Sequence, residues 1–428
     1  MNKNEFLKEQ FGVSEDILEL IDSCEKQVWE QFAYIEDMAQ LNEMKVLKAF
    51  ADNRVSQECF ISSSGYGTND YGRDNLDKVY AQVFEAEDAL VRHNFISGTH
   101  TLSTMLFAVS RPGDLIVAIT GKPYDTLEEV IGITGKAGRG SLKDFGIDYM
   151  QIDLLENSEP DYDAIKKVLT NKKVRAVWIQ RSKGYGERKT FSAREIGKMI
   201  SFVKEVSPDT LALVDNCYGE FVDDKEPTYY GADLCGGSLI KNAGGGISPT
   251  GGYIAGKSKY IELCAHRLST VGIGRENGAT LGMNKLLYQG IFYAPHVVGQ
   301  ALKTAILCAA VYEKLGYKVE PSSTTVRHDI IQAITLGTSD ALLAFCEGIQ
   351  KGSPVDAYAT PIPDDMPGYS EKVIMAAGAF NQGSSIELSA DGPMRAPYIA
   401  YMQGGVTYES AKLGIIMSVK AMRDRGVI

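Results

Sequence analysis

The sequence predicts an α/β protein, a large domain on a mostly parallel sheet followed by a smaller α+β domain. Two patterns carry this expectation. Short apolar runs at residues 114–120 (DLIVAIT), 176–180 (AVWIQ), 211–216 (LALVDN) and 252–255 (GYIA) alternate with helical patterns such as 162–169 and 193–204. That alternation is the rhythm of strand–helix–strand crossovers, with helices covering both sheet faces. Beyond about residue 285 the rhythm changes to a helix-like run at 299–315, a proline-rich loop at 361–367, a short strand at 384–388 and a closing helix at 409–425. The expected boundaries are a helical arm at 1–60, the large domain at 61–290 and a C-terminal domain at 291–428.

Taken in order, residues 14–52 read as one helix. Ser14 is its candidate cap, and apolar residues recur at Ile17, Leu20, Ile21, Val28, Phe32, Ile35, Met44, Leu47 and Phe50. Residues 61–75 form a loop rich in small residues, with Tyr66, Tyr71 and Arg73 as its reactive-looking members, and a helical pattern follows at 75–84. Ser97, Gly98 and Thr99 open a helical run that ends before Pro112-Gly113. Such a turn exposes unpaired N–H groups and the positive end of a helix dipole, both suited to phosphate. Tyr124 comes just after the apolar run at 114–120. Residues 180–182 and 215–218 likewise follow strand ends, where ligands gather in sheets of this kind.

Composition narrows the function. The chain has 428 residues, 44% hydrophobic and 23% charged, which is ordinary for a globular protein of two or three domains. A formal charge of −11 disfavours nucleic acid or an anionic membrane as the main partner. The seven cysteines are scattered without a C-x-x-C pair, as expected for reduced thiols rather than a disulfide framework or a structural zinc site. Residues 1–20 carry Lys3, Glu5, Lys8, Glu9, Glu15 and Asp16 in place of a secretory apolar core. No uncharged apolar run is expected to reach the length of a membrane span. The expected location is the cytoplasm.

The chemistry concentrates at residues 236–246, GGSLIKNAGGG, where Lys241 stands among glycines and small residues. Glycine lets a bulky group approach the backbone. A lysine here, with Asp215 at the end of an apolar run, is what a pyridoxal 5'-phosphate site needs. The lysine forms an internal aldimine, and the carboxylate keeps the pyridine nitrogen protonated. Burial beside a cationic ring is expected to lower the lysine's pKa.

Assembled, these motifs resemble the fold-type-I pyridoxal-phosphate enzymes (the aspartate aminotransferase-like fold), and within them the cystathionine/methionine γ-lyase branch of Cys/Met metabolism. The chain is most similar to the bacterial methionine γ-lyase-like or aluminium resistance protein subgroup. The resemblance implies that Tyr71 and Arg73, in Y-G-R, reach the cofactor phosphate of a neighbouring subunit. It implies that Ser97, Gly98 and Thr99 hold the phosphate within the same subunit, with Ser238 three residues before Lys241. Tyr124 would stack on the ring and assist proton transfer, Asp215 would pair with the ring nitrogen, and Lys241 would shuttle the proton. The family's substrate-carboxylate arginine has no counterpart at residues 399–405 (IAYMQGG), so the role passes to Arg395, with Arg181 as a second guanidinium.

The implied activity is that of a carbon–sulfur lyase on a sulfur-containing amino acid, a β- or γ-elimination yielding a 2-oxo acid, ammonia and a thiol. Aldol cleavage or transamination on the same fold is the alternative, and a metal-tolerance role a minor one. No metal site is expected. The implied assembly is a homodimer or homotetramer with shared active sites.

Overall fold

Strands form in the middle of the chain, four of them where aliphatic residues run with little interruption. They are β1 (Asp88–Arg92), β2 (Leu115–Ala118), β3 (Asp148–Gln151), β4 (Ala176–Gln180), β5 (Leu211–Asp215), β6 (Leu234–Ser238) and β7 (Gly252–Gly256). They make one sheet in the order β1-β7-β6-β5-β4-β2-β3. β2 to β6 run parallel, and β7 lies antiparallel to both β6 and β1. The computed structural model describes residues 2–65, 70–366 and 371–428, so Tyr66 and Pro367 lie outside the described residues.

Every residue of β4, β5, β6 and β7 is buried, which explains why three of these four read as near-continuous apolar runs. Alternation along the strands sends side chains to two cores. Ile116, Trp178, Leu213 and Ile254 pack on one face with Leu102, Met105 and Leu106 of the helix Gly98–Val109. Val117, Val177, Ile179 and Val214 pack on the other with Ile196, Ile200 and Val203 of the helix Ala193–Val206.

Three strands carry no such pattern. β3 is an edge strand with exposed ends, and β1 begins and ends on the charged residues Asp88 and Arg92. β6 contains Gly236 and Gly237, and neighbours explain both. A Cβ on Gly236 would stand 2.5 Å from Met105 Sδ, and one on Gly237 would stand 2.3 Å from Glu220 Oε1. The glycines that suggest a loop are there because the strand is pressed from both sides.

The expected single helix at 14–52 is two, Glu15–Gln27 and Trp29–Asp52, and the break falls at buried Val28. Ser14 stands at the N-cap of the first without a side-chain capping bond. A further helix, Lys3–Phe11, is closed by a reciprocal capping box between Asn2 and Glu5. The helix Tyr71–Val83 begins earlier than the pattern at 75–84, because Asp70 accepts the Arg73 N–H and caps it.

The chain divides into two units, residues 41–294, and residues 1–40 with 295–428. In the latter, β8 (Lys318–Glu320), β9 (Ile331–Thr335), β10 (Val373–Ala376), β11 (Ser389–Pro393) and β12 (Ile399–Gln403) form an antiparallel sheet in the order β10-β11-β12-β9-β8. The strand expected at 384–388 begins instead at Ser389. The helices Ser339–Lys351 and Tyr408–Asp424 cross closely. A Cβ on Gly348 would meet Ser418 Cα at 2.3 Å, and one on Gly352 would meet Gly414 Cα at 2.4 Å.

The helix Asn284–Lys314 is long and apolar enough to cross a membrane by length and composition, but 83% of its apolar window is buried inside the protein. It reads as a core helix.

The helix Ala193–Val206 supplies a test of the local logic. Ser192 Oγ accepts the Glu195 N–H, and Glu195 returns a bond to the Ser192 N–H at 2.8 Å. Ser192→Ala is expected to cost about 1 kcal/mol, read as a lowered urea midpoint with unchanged slope.

Candidate active site

The carboxyl ends of β1, β2, β4, β5 and β6 point to one edge of the large sheet, and a cavity of about 190 Å³ opens there within the unit of residues 41–294. Ser97, Gly98 and Thr99 line it, as do Tyr124, Asp215, Ser238 and Lys241. Seven of the residues singled out from sequence thus meet at one place.

The end formed by Ser97 and Ser238 has the chemistry of an anion cradle. Ser97 caps the helix Gly98–Val109, and its Oγ accepts the His100 N–H at 3.1 Å. The remaining N–H groups of that first turn have no intrahelical acceptor, and they carry the positive end of the helix dipole. Opposite them, Ser238 Oγ at the end of β6 is fully buried and makes no hydrogen bond among the described residues. Gly98 permits the approach, since a Cβ there would already stand 3.3 Å from Ser238 Cβ. A buried hydroxyl without a partner costs free energy unless a ligand completes it. Donors on both sides suit a phosphate.

Lys241 follows β6 at the start of a short turn, with its Nζ 4.1 Å from the centre of the Tyr218 ring. Asp215 closes β5, where its Oδ1 accepts the Cys217 N–H at 3.1 Å. Burial raises the Asp215 carboxyl above its ordinary range, and the charge of Lys241 pulls it back. Burial also works against charge on Lys241, but Cys217, Tyr218 and Asp215 outweigh it, so its ammonium is held above the usual lysine range. Burial, reinforced by the neighbouring Asp215 carboxyl, pushes the Cys217 thiol well up. The lowered lysine pKa expected from the sequence is therefore absent in the chain alone, because its neighbours are acidic. Tyr124 stands across the cavity, its ring 3.2 Å from where a Gly184 Cβ would lie. The close placement of Cys217 and Tyr218 around the lysine was not read from the sequence. Their position directly after Asp215 was the available signal.

Arg181 is a correction. Its side chain is fully buried, and it is absent from the cavity lining. Nη1 donates to Asn216 Oδ1 at 2.7 Å and to Glu226 Oε2 at 3.2 Å, while Nη2 donates to Asp223 Oδ2 at 2.6 Å. It is a structural cation and cannot meet a substrate. Arg395 lies in the other unit, between β11 and β12, exposed and paired with Glu371 at 3.5 Å. Tyr71 is half-exposed at a helix start, and Arg73 is buried, its Nε donating to Asp74 and its Nη1 to the Gly278 carbonyl. Neither lines the cavity.

With the geometry described, comparison with known proteins defines the class. The fold is that of the type-I pyridoxal-phosphate enzymes. The pyridoxal-5'-phosphate-dependent protein YhfS of Escherichia coli superposes with a TM-score of 0.62 over 91% of this chain and 97% of its own, at 15% identity. The methionine gamma-lyase family model matches residues 17–423, and the chain belongs to that family. A Clostridium novyi protein described as a carbon-sulfur lyase involved in aluminum resistance is 48% identical, with a TM-score of 0.94 over 98% of this chain and 99% of that one. The uncharacterized Bacillus subtilis protein YnbB is 50% identical over 394 residues, covering 92% of this chain and 93% of its own.

The carboxylates beneath the site make its support sensitive to pH. Glu220 is fully buried, accepts from Tyr253 Oη at 2.9 Å and has an Oε2 without a partner among the described residues. Burial, reinforced by Glu226, pushes it from the usual 4.5 up to about 8, although Arg181 lies near. The folded chain therefore holds this proton more tightly than the unfolded chain. The contribution of Glu220 to stability is full below the usual value of 4.5 and is lost as pH rises toward about 8. Glu220→Gln is expected to flatten that decline, seen as a smaller change in urea midpoint between two pH values inside the window.

Proposed function

We propose that this chain is a pyridoxal-phosphate-dependent carbon–sulfur lyase. It acts on a sulfur-containing amino acid by β- or γ-elimination, releasing a 2-oxo acid, ammonia and a thiol. The observation that carries the reading is one cavity that joins half-buried Lys241, buried Asp215 and the Ser238 hydroxyl, which has no partner among the described residues, beside a helix N-terminus. Membership of the methionine gamma-lyase family and the description of the C. novyi relative support the reaction class.

The bound cofactor would supply an electron sink for the pair released when the substrate loses its α-proton. Ser97, Gly98, Thr99 and Ser238 would hold its phosphate, and Asp215 would keep its ring nitrogen protonated. Tyr124 would cover one face of the ring. Lys241 Nζ takes the proton at the substrate's α-carbon once it is itself discharged. Tyr218, under Nζ, keeps the amine directed into the cavity.

Borohydride treatment of protein loaded with pyridoxal phosphate is expected to fix the cofactor to the peptide containing Lys241, with Lys241→Ala losing both the label and at least about a hundredfold in rate. Cystathionine, cysteine, methionine and homocysteine form the substrate panel. Amino-group transfer without thiol release would overturn the lyase reading.

We also propose a homodimer or homotetramer in which Tyr71 and Arg73 serve a neighbouring copy. The unit of residues 41–294 exposes Ile61, Tyr71, Ile96 and Leu281, apolar side chains that an interface between copies would cover. Sedimentation of the native protein is expected to give at least a dimer, and a fully active monomer would refute it.

A further inference from the structure

A second cavity, also about 190 Å³, lies within the unit formed by residues 1–40 and 295–428. Its walls include Gln31, Tyr34 and Ile35 of the helix Trp29–Asp52, Ile306 of the helix Asn284–Lys314, and Thr325 and Arg327 from the segment before β9. An apolar cavity of roughly 150 Å³ accepts a molecule the size of benzene. This one is not wholly apolar.

Arg327 is only 3% exposed, yet its Nε and Nη1 donate to nothing among the described residues. Nη2 reaches the carbonyls of Ala305 and Ser322, both at 3.4 Å, which is long for such bonds. Two of the neighbouring carboxylates hold other partners. Asp329 accepts the Ile331 N–H at 3.1 Å, and Glu313 takes both the N–H and the hydroxyl of Ser323. Burial depresses Arg327 to about 10, against the pull of Asp329, Glu313 and Glu320. In the same cavity Gln31 Oε1 is buried and has no partner among the described residues, and half a turn of the amide puts a donor in its place. A buried guanidinium short of acceptors is costly unless an anion completes it.

The surroundings select the anion. Ile35 and Ile306 are buried and offer an apolar wall, which suits an aliphatic body behind the charged head. Glu30 also lines the cavity and opposes a second negative charge, which disfavours dianionic phosphate. We propose that this cavity binds a small aliphatic carboxylate, its head on Arg327 and its body against Ile35 and Ile306. The proposal stands apart from the lyase reading.

Isobutyrate is the probe, because it has the carboxylate and a branched body but no amino or carbonyl group with which to react at Lys241. Its binding to the full-length native protein is read by saturation-transfer NMR, with isobutyramide and inorganic phosphate as controls. Wild type and Lys241→Ala are expected to bind isobutyrate equally, and isobutyramide not at all. Arg327→Gln should weaken isobutyrate by about tenfold or more, the usual worth of a hydrogen bond to a charged group. Val326→Trp keeps the arginine and adds bulk at a lining position that is 55% exposed, so it tests the cavity even if Arg327→Gln fails to fold. It should block binding. No isobutyrate binding to wild type, unchanged binding in Val326→Trp, loss in Lys241→Ala, or phosphate bound in place of isobutyrate would each overturn the assignment.

Discussion

Burying opposite charges at the carboxyl edge of a parallel sheet is the constraint on which the rest of the large unit depends. Asp215 is buried and Lys241 half-buried, and the charge of Lys241 offsets part of what burial costs the carboxylate. That requirement fixes the ends of β5 and β6 relative to each other. Gly236 pairs with Asp215 across the ladder, which sets the register that brings the two side chains to one cavity. The same demand accounts for the fully buried strands, because a core dense on both faces holds their ends in place.

A second layer of charge lies beneath. Arg181, Asn216, Glu226, Asp223, Glu220 and Tyr253 form one hydrogen-bonded group behind the cavity. Three carboxylates around one guanidinium cannot all ionise cheaply, and burial leaves Glu220 as the one that keeps its proton near neutrality. Any movement of the loop after β5 would break several of these bonds at once. The network therefore holds Asp215 and Tyr218 in place without touching a ligand.

Much of this was legible in the sequence, and the exceptions have physical causes. The apolar runs located β2, β4, β5 and β7 because strands buried on both faces need no polar alternation. β6 escaped because its glycines answer to Met105 and Glu220, residues distant in sequence. The break at Val28 escaped because the helical periodicity carries through it. Residues of the cavity were found where the chemistry requires a particular side chain, as at Lys241 and Asp215, or a particular turn, as at Ser97. What could not be read was the local electrostatics, since the raised pKa of Lys241 depends on which neighbours tertiary packing supplies.

The misplacement of Arg181 shows how far strand geometry alone could have gone. Gln180 pairs with Asp215 across β4 and β5, and both line the cavity. Side chains alternate along extended chain, so the next residues, Arg181 and Asn216, turn away to the opposite side. There they find each other, Nη1 donating to Oδ1 at 2.7 Å, and Ser182 returns to the cavity wall. Proximity to the cleft in sequence made Arg181 look like a substrate contact. The parity of its position makes it a partner of the carboxylates behind, and the guanidinium that completes the floor cannot also greet the substrate.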